Sequence, residues 1–85
     1  MTSDHAPIAF LRNVPVRRII RALEHEGFRF VERQGSQRVY QHQDGRRVVI
    51  HYHRANDTLP SHVIRNFLRG TRWTEEDLRR LGLIR

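Results

Sequence analysis

The 85-residue chain contains no cysteine, which excludes a disulfide framework, a thiolate zinc site and a cysteine nucleophile together. It contains no lysine either, so all sixteen of its basic side chains are arginine. Genome base composition can account for arginine in place of lysine, but not for a surplus over nine acids that leaves a formal charge of +7. No apolar run is long enough to cross a bilayer: the run near the N-terminus covers residues 8–11 only, and residues 1–13 lack the form of a signal peptide. A soluble, cytoplasmic protein with no membrane partner is the expectation. The length allows one small domain, which hides roughly 60 to 65% of its unfolded surface and so builds a thin core without a deep substrate cavity. An enzyme of this size works at its surface, on a large substrate.

What is present is charge of one sign. A folded domain this basic points to a polyanion, and nucleic acid is the commonest one. The surplus is uneven: residues 1–14 carry no net charge, residues 15–70 carry +6 and residues 71–85 carry +1.

Hydrophobic spacing and punctuation divide the chain further. Val16, Ile19, Ile20 and Leu23 fall at i, i+3, i+4 and i+7, which predicts an amphipathic helix over residues 16–26 with Pro15 in its first turn and Gly27 as its left-handed terminator. Residues 28–33 alternate with period two, residues 38–42 and 46–52 read as further strands, and Asp44 with Gly45 is a strong hairpin signal. Helical spacing resumes over residues 61–69, with Gly70 expected to end the helix. Thr74 reads as the N-cap of a short helix whose first turn carries Glu75, Glu76 and Asp77. The prediction is an α+β fold of order α-β-β-β-α, an antiparallel three-stranded sheet with helices on one face, followed by a short C-terminal helix. Three parts are expected: an N-terminal arm over residues 1–14, a central domain over 15–70 and a helical extension over 71–85. The arm, with Ile8, Phe10 and Leu11, is left open between disorder, docking on the core and self-association.

If Asp44 and Gly45 form a two-residue turn, residue 41 pairs with 48, 39 with 50 and 37 with 52. Gln37, Val39 and Gln41 then share the covered face with Val48, Ile50 and Tyr52. Arg38, Tyr40, His42, Arg47 and His51 share the open face, joined by Arg29 and Arg33 from the first strand. Such a face offers guanidinium groups to phosphates and an aromatic ring to bases. A one-residue slip would dissolve this sorting.

The stretch RRIIRALEHEGFRFVERQGSQRVYQHQDGRRVVIHYH, followed by LPSHVIRNFL, resembles the HicA toxins of bacterial toxin-antitoxin systems over about residues 14–70. The resemblance implies a fold like that of double-stranded-RNA-binding domains. It also implies a small metal-independent ribonuclease that cleaves messenger RNA until a HicB-like antitoxin protein binds it, with no cofactor. In that family one histidine directly after the GS turn carries the chemistry. Here the position is Gln37, and a carboxamide cannot take a proton from a ribose 2′-hydroxyl. Three explanations stand open: binding without cleavage, a deliberate His to Gln change, or another histidine in its place. His53 corresponds to a second family histidine and is the candidate stand-in, since the hairpin register sets residue 53 across from Ser36. The expected RNA-contacting residues are Arg29, Arg33, Ser36, Arg38, Tyr40, His42, Arg47 and His51. His51 and His53 lack a third ligand at fixed spacing, so no metal site is expected. Two alternative functions fit the same features, a non-catalytic nucleic-acid-binding module and an antitoxin-binding module.

Overall fold

The apolar stripe of the first long helix decides where the sheet must lie. In the computed structural model, which describes residues 5–84, the elements are α1 (His5–Leu11), α2 (Val16–His25), β1 (Arg29–Gln34), β2 (Gln37–Gln41), β3 (Arg47–His51), α3 (Ser61–Thr71) and α4 (Glu75–Arg80). Residues 1–4 of the expected arm and Arg85 of the extension lie outside the described residues. The three strands form one antiparallel sheet in the order β1-β2-β3, the α+β layout that the sequence predicts.

Val16, Ile19, Ile20 and Leu23 are buried along α2. Pro15 occupies the N-cap and supplies no side-chain bond. The loop after β3 supplies backbone bonds instead, with Val16 N–H donating to Asp57 O at 2.7 Å and Arg17 N–H to Ala55 O at 3.0 Å. At the other end Gly27 adopts φ +97°, Phe28 N–H donates to Leu23 O at 2.9 Å and Gly27 N–H to Glu24 O at 3.1 Å. This double closure turns the chain back and buries Phe28.

α3 corrects one expectation. Gly70 does not end the helix, which continues through Thr71, and Arg72 takes the left-handed cap at φ 62°. Gly70 lies instead where α3 crosses β3: a Cβ there would approach Val48 Cγ1 to 2.5 Å and Arg47 O to 2.6 Å. The glycine is required by close packing, since a backbone oxygen cannot swing away as a flexible side chain would.

The ends of the chain are packed. Ile8 and Leu11 of α1 are buried, and α1 contacts α3 and α4. α4 begins with a capping box between Thr74 and Asp77, in which Asp77 N–H donates to the Thr74 hydroxyl at 3.2 Å and Thr74 N–H to the Asp77 carboxylate at 2.9 Å. Trp73 stands edge-on to Phe67 and Phe28, with ring centroids 5.3 and 6.2 Å apart.

The second hairpin overturns the predicted register. His42 N–H donates to Arg46 O at 2.8 Å, Gly45 N–H to His42 O at 2.9 Å, and Gly45 takes φ +101°, so the loop has three residues and not two. The pairs are Gln37 with His51, Arg38 with Ile50, Val39 with Val49, Tyr40 with Val48 and Gln41 with Arg47. Every β2 side chain therefore faces opposite to the expectation. The predicted register would have buried two glutamines beside Val48 and Ile50. The observed one buries Tyr40, 1% exposed, and leaves Gln41 outside. Asp44 helps to hold the longer loop, accepting from Arg46 N–H at 3.0 Å and from its Nε at 2.8 Å.

Candidate nucleic-acid interface

The turn between β1 and β2 sets the geometry of the site. Gly35 has φ +60° and Ser36 a negative φ, a two-residue turn of type II′ closed by Gln34 opposite Gln37. The open face of the sheet then carries three cross-strand rows. One is Gln34, Gln37 and His51, the next Glu32, Val39 and Val49, and the third Arg29, Gln41 and Arg47. Val31 is the extra residue of a bulge between Phe30 and Glu32, which switches the pairing of β1 part-way along.

The first row joins the candidate catalytic position to an imidazole. Bonds at residues 42/46 and 52/36 fix the ladder's alternation, so Gln37 and His51 form a non-hydrogen-bonded pair, the kind whose side chains approach most closely. His53 stacks on His51 with ring centroids 6.0 Å apart and planes at 18°. Tyr52 N–H donates to Ser36 O at 2.7 Å, so Tyr52, and not His53, lies across from Ser36. The histidine nearest Gln37 is therefore His51. Gln34 Nε2 donates to the Glu32 carboxylate at 2.6 Å, which brings an acid alongside this row. Glu32 and Gln34 were not legible as site residues because the bulge that orients Glu32 leaves no mark in the sequence pattern.

The other predicted contacts separate. Arg29, Arg47 and His51 are exposed on the open face as expected. Arg38, Tyr40 and His42 lie on the helix-covered side, and Arg33 joins them as the cross-strand partner of Arg38. Tyr40 is core and cannot offer its ring to a base. His42 Nε2 donates to Glu26 O at 3.0 Å, its Nδ1 accepts Asp44 N–H at 3.1 Å, and its ring stands edge-on to Phe28. It braces the end of α2 against the hairpin. Arg38 lies with its guanidinium carbon 3.8 Å from the Tyr52 ring centroid and 5.9 Å from that of Phe30. Ser36 is a turn residue whose carbonyl is used by the sheet.

Electrostatics divides the arginines in two. Arg80 donates to both Glu26 oxygens, at 2.8 and 3.1 Å, and to Asp77 at 3.2 Å. The Arg80 bond holds Glu26 below the ordinary carboxylate range, Thr74 N–H does the same for Asp77, and Arg46 N–H for Asp44. By contrast Arg29, Arg33, Arg38 and Arg47 make no ion pair among the described residues. Those four belong to the strands, and Arg12, Arg21, Arg54, Arg65, Arg69 and Arg72 elsewhere likewise make no ion pair among the described residues.

The family model described as HicA toxin of bacterial toxin-antitoxin matches residues 16–73, more than half of the chain. The chain belongs to the HicA toxin family. Comparison with curated proteins finds no significant match. Membership makes the chain the toxin of a toxin-antitoxin pair and implies an antitoxin partner. The matched segment contains every strand, α2 and α3, while α1 and α4 flank it. Among the described residues no helix is long and apolar enough to cross a membrane, and no three His, Asp or Glu side chains gather as metal ligands.

Proposed function

We propose that this HicA-family toxin binds messenger RNA in the cytoplasm through its strand hairpins, and that its ancestral cleavage centre is the row Gln34, Gln37 and His51 with His53 beside it. The observation that carries the reading is the grouping of four arginines without an acid partner among the described residues on the strands that carry Gln37 and His51, Arg29 and Arg47 on the same face and Arg33 and Arg38 on the other. Unpaired guanidinium groups around a shallow polar row suit a phosphodiester backbone, which supplies one charge per nucleotide.

Cleavage of RNA without a metal needs a base to take the 2′-hydroxyl proton and an acid to protonate the leaving 5′-oxygen. Gln37 can hydrogen-bond to a phosphate or a ribose hydroxyl but can do neither proton transfer. His51, directly across the ladder, is an imidazole within reach of the same substrate atoms, and His53 stacks behind it. In this reading the chain holds RNA firmly and cuts it slowly.

Inducible expression of the chain beside Gln37→His tests the proposal. The histidine form should arrest growth and degrade messenger RNA on the order of a hundredfold to ten-thousandfold faster, the usual worth of a general acid or base. Intact RNA and normal growth with both forms, together with no RNA binding at low salt, would overturn it in favour of a module that only binds its antitoxin.

A further inference from the structure

We propose that Arg33 and Arg38 form a second phosphate site, on the side of β2 opposite Gln37, so that RNA passes around the hairpin tip as a single strand. The inference rests on the RNA reading above and adds the substrate class.

Arg33 and Arg38 are direct cross-strand partners next to the Gly35 and Ser36 turn. Because the turn is closed by Gln34 and Gln37, the adjacent pair is of the non-hydrogen-bonded kind, with side chains close together. Two like charges in that position repel each other. No carboxylate relieves them among the described residues, for neither arginine makes an ion pair there. A site that pays for such repulsion without an internal counterion is suited to an external anion.

Arg38 is also held ready. Its guanidinium stacks on Tyr52 at 3.8 Å, and Phe30 lies 5.9 Å away on the neighbouring strand. Stacking occupies the faces of a guanidinium but leaves its N–H edge, the part that grips phosphate with two parallel bonds. Phe30 is 52% exposed and stands edge-on to Tyr40, so its outer surface offers a platform to a nucleobase. A phosphate fork beside an exposed aromatic ring matches a nucleotide, which presents both groups at once.

The placement then selects the strandedness. Gln37 and Arg38 are consecutive in β2 and point to opposite faces. A chain with its scissile bond at Gln37 and His51 reaches the Arg33 and Arg38 fork only by bending round the tip. A single strand can make that bend, whereas a duplex is too stiff.

The test is fluorescence anisotropy of the full chain with a labelled single-stranded oligoribonucleotide and with its duplex, over a salt series. The double variant Arg33→Gln with Arg38→Gln should lose on the order of tenfold in single-strand affinity, and its salt slope should fall by about 0.7, the value for one phosphate on single-stranded nucleic acid. Arg79→Gln with Arg80→Gln, an equal charge change in α4, should bind as the parent does. Tyr52→Leu, which keeps the charge and frees Arg38, should lose a few-fold. Thermal melting should show the hairpin variants folded.

Parent-like affinity of the hairpin double variant, or duplex bound as tightly as single strand, would overturn the inference while leaving the RNA reading in place. Absence of RNA binding by the parent at low salt would overturn both. If the double variant keeps its RNA affinity and loses only binding of an acidic protein, the fork belongs to the antitoxin surface and the phosphate site is refuted.

Discussion

The arginines at the two ends of the molecule do different work. In α4, Arg80 is locked to Glu26 and Asp77, and from α2 Arg18 donates to the carbonyl of Gly82 just beyond it. At the β1–β2 tip, Arg33 and Arg38 face each other without an acid among the described residues. The same side chain is neutralised in one place and left without a counter-charge in the other, and local acids decide which. Net charge alone therefore misleads: part of the positive charge is neutralised inside the fold, and only some of the remainder, Arg29, Arg33, Arg38 and Arg47, lies on the strands.

The largest expected effect separates stability from binding without touching any arginine. Gly70→Ala should cost about 2 kcal/mol or more in urea unfolding, since its Cβ would strike β3 backbone and Val48, while the folded fraction binds RNA as before. Next, Arg46→Ala removes bonds to Asp44 and to Thr71 O, the latter at 2.6 Å, and exposes Phe28, over which the guanidinium lies at 5.0 Å. A loss of about 1 to 2 kcal/mol by the same measurement marks it as one of the neutralised arginines that hold the fold. An RNA defect as large as that of the Arg33 and Arg38 double variant would blur the distinction. Thr74→Ala, which breaks the capping box of α4, should cost about 1 kcal/mol with RNA affinity intact.

Arg80→Ala should lower the melting midpoint less than Thr74→Ala, because the Arg80 partner of the pair is exposed to solvent and to screening ions, and the difference should shrink in high salt. Acid is the smallest and most diagnostic perturbation. Glu26 and Asp77 are held below their ordinary values of 4.5 and 3.8, so the stability they contribute is present above those values and is lost as pH falls through the lower, folded-state ones. Melting curves should drop below about pH 4 in the parent and drop less in Glu26→Gln, which has no such carboxylate to protonate.

Much of the architecture was legible because it depends on local rules. The i, i+3, i+4, i+7 stripe of α2, the Gly27 closure and the Thr74 cap are each written within a few residues, and all three occur as read. The faces of β2 were not legible, because one extra loop residue at Gln43, Asp44 and Gly45 inverts every side chain of the strand. A cue did exist: one register buries Gln37 and Gln41 and the other buries Tyr40, so the cost of desolvating two carboxamides favours the second. The inversion turns Gln37 to the open face and changes its nearest histidine from His53 to His51. Tyr40 and His42 left the expected interface for the same reason, one to fill the core and the other to brace α2.

The sequence by itself determined the element order, the excess of guanidinium groups and the family pattern, since these depend on composition, periodicity and short motifs. Only the tertiary structure decided which arginines are neutralised and which face of β2 meets solvent. Those outcomes depend on a single residue of hairpin register and on acids brought from distant positions, such as Glu26 to Arg80. Neither long-range pairing nor register is encoded at any one position, so the charge present from the start acquired its meaning only in the folded chain.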